Sequence, residues 1–402
     1  MKDIKNLYKR TLLYVITIVV FGNGTLFISC KENLTASNVA LADLANCKTL
    51  SDAGIIDSAD IISLQGTDLW IQKIDKIVEY DSLLYIMDQK SKALHIFLRN
   101  GQHISTICNV GHATNEYIGI DDFFIDHQDG SINILSSLDK TVFKYNADGS
   151  KLLSTKPVPM SFRRLIDYSN GYIGFMGNCS EGENAPHNFW IMDKNFQILK
   201  SYIDINPGLE GVFHGDIATF AKHSDKLYFF SDASRDVYSI RNDKTNPVLE
   251  YTLDCGEANP PKLTESDYAN WQRMLEVSNK YVMNIYHFQE TDANVIFHYL
   301  SQGCYYLTIQ NKSNAESQTI KLDVYDGDYF FEFGRIIAIT DDIIYSSVEA
   351  QSVYYPWKGV IGDMNYEQEY PRQVNNLRRK LQKVDPEGNP FVVKYYINKR
   401  LS

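Results

Sequence analysis

The chain has 402 residues, 44% of them apolar and 22% charged, with 50 acidic against 39 basic residues and a net charge of −11. That apolar share excludes a disordered chain, and the negative balance repels phosphate backbones, so nucleic acid is not expected as a partner.

Residues 1–29 read as a lipoprotein signal peptide. Lys2, Lys5, Lys9 and Arg10 form a basic head, and Thr11–Phe21 is an apolar stretch too short for a comfortable membrane span. Leu26-Phe27-Ile28-Ser29-Cys30 then approximates a lipobox, with Phe27 where leucine is usual. Cleavage there makes Cys30 the lipidated N-terminus; a plain signal peptide or an uncleaved anchor are the alternatives. Loss of the segment removes four basic residues and Asp3, taking the net charge from −11 to −14. Acyl chains contribute roughly 0.8 kcal/mol per buried CH₂, enough for several to hold a protein on a membrane. Residues 30–58 read as a polar tether.

The remaining cysteines, Cys47, Cys108, Cys179, Cys255 and Cys304, are scattered singly without CxxC spacing. A zinc site is therefore not expected, and a disulfide cannot be assigned from sequence.

From Ile74 to Ile107 the chain reads as four short strands: Ile74–Tyr80, Leu83–Met87, Ala93–Leu98 and His103–Ile107, with a hairpin at Asn100-Gly101. The pattern returns five times. The first strand of each copy starts near residue 74, 120, 165, 217, 283 or 336, at spacings of 46, 45, 52, 66 and 53. Four strands per unit at about this period predict a β-propeller. A β-sandwich is the competitor, and it needs a long Greek-key connection that the pattern does not require.

Two segments depart from the repeat. Thr264–Asn279 opens with a Thr-x-x-Asp box and reads as a helical insertion before blade 5. The sixth copy supplies only Ile336–Thr340 and Ile343–Val348 before a predicted helix at about Gln368–Val384. The last apolar run, Pro390–Asn398, then serves as the third strand of blade 6, and Ile61–Leu64 as its fourth. Head and tail would share one sheet, which removes free strand edges. The expectation is an all-β, six-bladed propeller over residues 59–402, with two helical additions and a ring closed by its terminal strands.

Leu84–Asp88, His95-Ile96-Phe97 with Asn100-Gly101, Val110–Tyr117 leading into Ile120–Phe123, and Asn389–Val393 carry a resemblance. Over roughly residues 40–400 the chain resembles the six-bladed β-propeller lipoproteins of Bacteroidota, distant relatives of NHL-repeat proteins. That resemblance implies the fold and an outer-membrane lipoprotein, and fits the loose lipobox; it implies no reaction. Family members usually carry Gly-x-Gly-Pro-Gly-Glu-Tyr before blade 2. Here Gly111, Glu116 and Tyr117 remain without the Gly-Pro-Gly core.

A propeller binds where its inner strands and their connecting loops converge, so the candidates are residues at the starts of those strands. They are His112, Glu116 and Tyr117 before blade 2, Arg163 and Arg164 at blade 3, and His214 and Asp216 at blade 4. Tyr286 and His287 at blade 5 and Arg335 at blade 6 complete them. Each has a plainer structural reading: a Glu-Tyr pair bonding its own turn, a salt-bridged arginine pair, a turn-capping His-Asp couple and a satisfied strand histidine. Tyr354, Tyr355 and Trp357 offer either a stacking platform for a sugar or helix packing. Gly-x-Ser-x-Gly, HExxH and P-loop motifs are absent from the sequence.

Two functional expectations follow. The first is a non-catalytic binding module for a glycan or peptide at the channel mouth, with an outer-membrane transporter as a further partner. The second is a lyase or hydrolase using His214, His287 and Glu116, with a divalent metal at the axis.

Overall fold

The computed structural model describes residues 38–66, 70–168, 171–181, 186–242, 244, 246–322, 335–369, 371, 374–375, 378–379 and 382–398. The signal segment and Cys30 lie outside the described residues, as do parts of the predicted 368–384 helix and the side chain of Trp357.

Six antiparallel sheets of the repeat pattern make up the body. Blade 1 is Lys76–Tyr80, Leu83–Asp88, Ala93–Leu98 and His103–Ile107. The inner strands of the other blades are Asp122–Ile125, Arg164–Tyr168, Phe220–His223, Ile285–Glu290 and Arg335–Ile339. In blade 6 the order runs Arg335–Ile339, Ile343–Val348, Phe391–Ile397 and Ile56–Ile62. The last strand of the chain therefore lies between its neighbour and the N-terminal strand, with Ile61 opposite Val393. The ring closes by its two end strands as predicted, but the N-terminal one is Ile56–Ile62, starting earlier than the expected Ile61–Leu64.

Packing explains why the strands read as nearly continuous apolar runs. Each sheet is covered on both faces, and six buried clusters fill the seams between adjacent blades. Tyr85, Ile96, Phe123 and Phe143 meet between blades 1 and 2. Ile62, Ile77, Ile86 and Tyr345 meet where blade 6 joins blade 1. Phe189, Leu227, Phe229 and Ile240 fill the seam between blades 3 and 4. Burial of such side chains contributes about 1.5–3 kcal/mol each.

Four further details differ from expectation. At Asn100-Gly101 only Gly101 has positive φ, at 88°. Gly101 N–H donates to Leu98 C=O and Leu98 N–H to Gln102 C=O. This is the three-residue hairpin with a glycine bulge, not the two-residue turn. A side chain at Gly101 would also stand 2.1 Å from Ser63 C=O.

Part of the expected tether is built into the wall. Asn38–Leu41 adds a fifth, parallel strand to blade 4 beside Val248–Asp254. The chain then crosses blade 5, where Asp43 N–H donates to Thr319 Oγ1 and Lys48 bridges Ile320.

The helical additions also shift. Thr264 caps Glu265–Ala269 with the expected capping box to Asp267, and Trp271–Lys280 follows as a second helix. In blade 6 helical structure begins earlier than predicted, at Ala350–Ile361, and runs through the Tyr-Tyr-Pro-Trp stretch ahead of the predicted helix. Tyr354 packs on the core between blades 5 and 6, while Tyr355 is exposed.

Finally, the inner strand of blade 4 begins at Phe220, not near Asp216. Residues 213–217 run instead as a loop over the channel end.

Candidate binding site in the axial channel

The six inner strands enclose a channel of about 580 Å³, within the range of small-molecule sites. Its wall is largely apolar, with Ile77, Phe123, Ile166, Phe220 and Ile337 among the lining residues, and charged groups at both ends.

Where the inner strands start, the charges form a closed network. Arg335 binds the Asp216 carboxylate and Ile74 C=O. Lys73 lies 3.2 Å from the same carboxylate and 3.0 Å from Asp75. Burial pushes the Asp216 carboxyl pKa up, but Arg335 and Lys73 outweigh it and hold the group below the usual carboxylate range. Arg164 donates to Asp121 C=O at 2.7 Å and to Gly215 C=O at 2.7 Å. Lys76 reaches Asp122 at 2.7 Å, and the other Asp122 oxygen accepts from Leu165 N–H at 2.9 Å.

Arg164, Asp216, His287 and Arg335 are the sequence candidates that line the channel; the remaining six are placed elsewhere. His112 is exposed on its loop. Glu116 folds back to accept from Ala113 N–H at 3.0 Å, and a Cβ at Gly111 would stand 1.8 Å from its Oε2. Tyr117 is fully buried, and its hydroxyl donates to Lys92 C=O at 3.1 Å and Ile107 C=O at 3.2 Å. The plainer reading of the Glu-Tyr pair describes these contacts. Tyr117→Phe should therefore lower stability by about 1–2 kcal/mol in chemical denaturation and leave any ligand affinity unchanged.

Arg163 stands 3.6 Å from Asp121 and lies over the Phe213 ring, as Arg164 does. His214 is 3.7 Å from buried Asp232, which raises the imidazole pKa against the opposing effect of burial. Tyr286 packs edge-on to Tyr305 and near His298.

His287 is buried, with its Nδ1 3.0 Å from Nδ1 of His298. Burial pushes its pKa down to about 4 and holds His298 well below the ordinary histidine value. Both rings are thus neutral at physiological pH. His214, His287 and Glu116, the trio of the enzyme expectation, are each engaged by different partners and share no contact among the described residues.

Sequence reading missed Lys73, Asp75, Lys76 and Asp122 at this end. It also missed Asp167, Lys222, Gln289 and Asp341 at the other, where Lys222 pairs with Asp167 at 2.7 Å and Gln289 donates to Asp341 at 2.9 Å. The available signal was position: each lies at the start or finish of an inner strand.

Closed ring, seam cores and axial channel define a six-bladed β-propeller. The chain belongs to the family described as Domain of unknown function (DUF4934), which matches residues 37–396. No curated protein matches it in sequence. An exported-protein candidate from Bacteroides fragilis NCTC 9343 is similar in structure, with 16% identity and a TM-score of 0.70 over 90% of this chain and 99% of that one. A member of the DUF4221 family from Bacteroides vulgatus has 10% identity and a TM-score of 0.48 over 85% of this chain and 97% of that one.

Proposed function

We propose that this protein is a non-catalytic binding module, held on the outer membrane through acylated Cys30 and facing the periplasm or the cell surface, that takes part of a glycan or peptide into its axial channel. The observation that carries the reading is the channel itself. It has about 580 Å³ of space and an apolar wall with charged groups at its ends, a combination that suits orientation of a bound group. Screening the protein on glycan and peptide arrays tests it. A binder whose affinity falls on Phe220→Ala, a channel-wall change, supports the reading; binding indifferent to every channel substitution sinks it.

The membrane half has its own test. Cys30→Ala should move the protein from the membrane fraction to the soluble fraction and remove the acyl mass from its N-terminal peptide. A pull-down through the anchored protein tests the transporter partner. The lyase or hydrolase reading with a divalent metal is addressed by elemental analysis of the purified protein, where stoichiometric metal would favour it.

A further inference from the structure

The charged network at the strand-start end does more than line a rim. Asp216 leads into blade 4, Lys73 leads into blade 1, and Arg335 opens blade 6. In a ring of six, blades 1 and 4 face each other across the axis. A 3.2 Å Lys73–Asp216 pair therefore spans the hole, and Arg335 joins it from a third blade. Arg164 of blade 3 fixes the same loop by holding Gly215 C=O, and blade 5 holds it through Ala218 N–H to Tyr286 C=O. Four other blades thus clamp residues 213–218 of blade 4 over this end of the channel.

Among the described residues, no ion pair at the opposite end joins blades that face each other across the axis. The lining lysine of that end, Lys222, is matched by Asp167. Asp341 and Asp342 are exposed there, and among the described residues neither is paired with a lysine or arginine. Asp341 meets Gln289 and, at 3.3 Å, His223, whose other ring nitrogen lies 3.3 Å from fully exposed Asp292. The open rim therefore carries unmatched negative charge at a low-dielectric hole, an arrangement that concentrates cations.

We propose that the channel is a one-ended chamber, entered where the inner strands finish, and that its acidic rim selects ligands carrying an ammonium group. The ligand-class half rests on the binding reading above; the closure does not. A lysine side chain of a peptide and an amino sugar both present that chemistry.

The test places a thiol inside the chamber of the full chain by Ile166→Cys, with Ala338→Cys as the second variant should the first fold poorly. Labelling by a cationic and an anionic methanethiosulfonate is compared, each normalised to exposed Cys108. The cationic reagent should react roughly tenfold faster, the ratio should fall toward one with Asp341→Asn/Asp342→Asn, and Asp216→Ala should open a second route and speed the anionic reagent. Equal rates in the parent, a ratio that survives the double aspartate change, or no response to Asp216→Ala would each overturn the proposal. Protection by a lysine-rich peptide or by glucosamine identifies the ammonium source; protection by neither, at millimolar concentration, sinks the ligand-class half. Arrays that fail while the labelling pattern holds would refute the binding reading and leave the chamber standing.

Discussion

Glu79→Ala should lower the unfolding free energy by about 3–5 kcal/mol, the usual cost of leaving one member of a buried ion pair unmatched. Glu79 ends the inner strand of blade 1 and reaches into blade 6. Its carboxylate accepts from Tyr345 OH at 2.6 Å and from Lys394, and Arg99 lies 2.6 Å away. Lys394 is only 5% exposed and sits in the middle of the last strand. Burial pushes the Glu79 carboxyl pKa up, but the bonds from Lys394 and Tyr345 more than reverse this. Truncation strands the ammonium inside the seam that closes the ring. The double change Glu79→Leu/Lys394→Met should recover most of the loss, because an apolar pair of similar volume is often as stable as a buried ion pair. Urea denaturation of the parent, single and double variants measures both effects. A single variant within about 1 kcal/mol of the parent would show that the seam is not held this way.

Acidification should destabilise the protein through its buried imidazoles. His287 has a folded pKa of about 4, because burial disfavours the charged ring, against about 6.5 in an unfolded chain. A depressed pKa contributes stability that is complete above 6.5 and lost as pH falls from about 6.5 toward 4. For this ring the loss is about 3 kcal/mol. His298 adds to it: in their 3.0 Å contact one Nδ1 donates and the other accepts, and a proton on the accepting nitrogen breaks the bond. His95, also buried and lowered to about 4, acts in the same window. Comparing the parent with His287→Gln/His298→Gln isolates the pair: the variant should lose at least about 3 kcal/mol less between pH 7 and pH 4. Identical pH slopes would assign the acid response elsewhere.

Much of the fold was legible because its signals are local. Apolar runs such as Leu83–Met87 are buried on both faces, and turn residues punctuate them at a regular interval. Ring closure was legible for a similar reason, since a strand without a partner at each chain end calls for one. The failures share the opposite cause. Asp216-Ile217-Ala218 reads as the start of an alternating strand, yet Arg335 and Lys73 draw Asp216 over the axis. Those partners lie 119 and 143 residues away, beyond any local pattern. Asn38–Leu41 is too short to show a period. The proline and aromatics at 354–357 suggest a break, but the backbone continues as helix through them. At the site, Arg164 and Arg335 stand out by type and position. Lys73, Lys76 and Asp122 look like ordinary solvated strand ends until the ring sets them opposite their partners.

The strap formed by residues 38–53 has a mechanical consequence. Tension arriving from the N-terminal side meets the four-residue parallel pairing on blade 4 before it reaches Ile56–Ile62. That short pairing is loaded along its length and can let go as a fuse. Its rupture would pass the load to the blade 5 anchors at Asp43 and Lys48 and to buried Leu50 and Ile55, while the clasp of the ring stays shut.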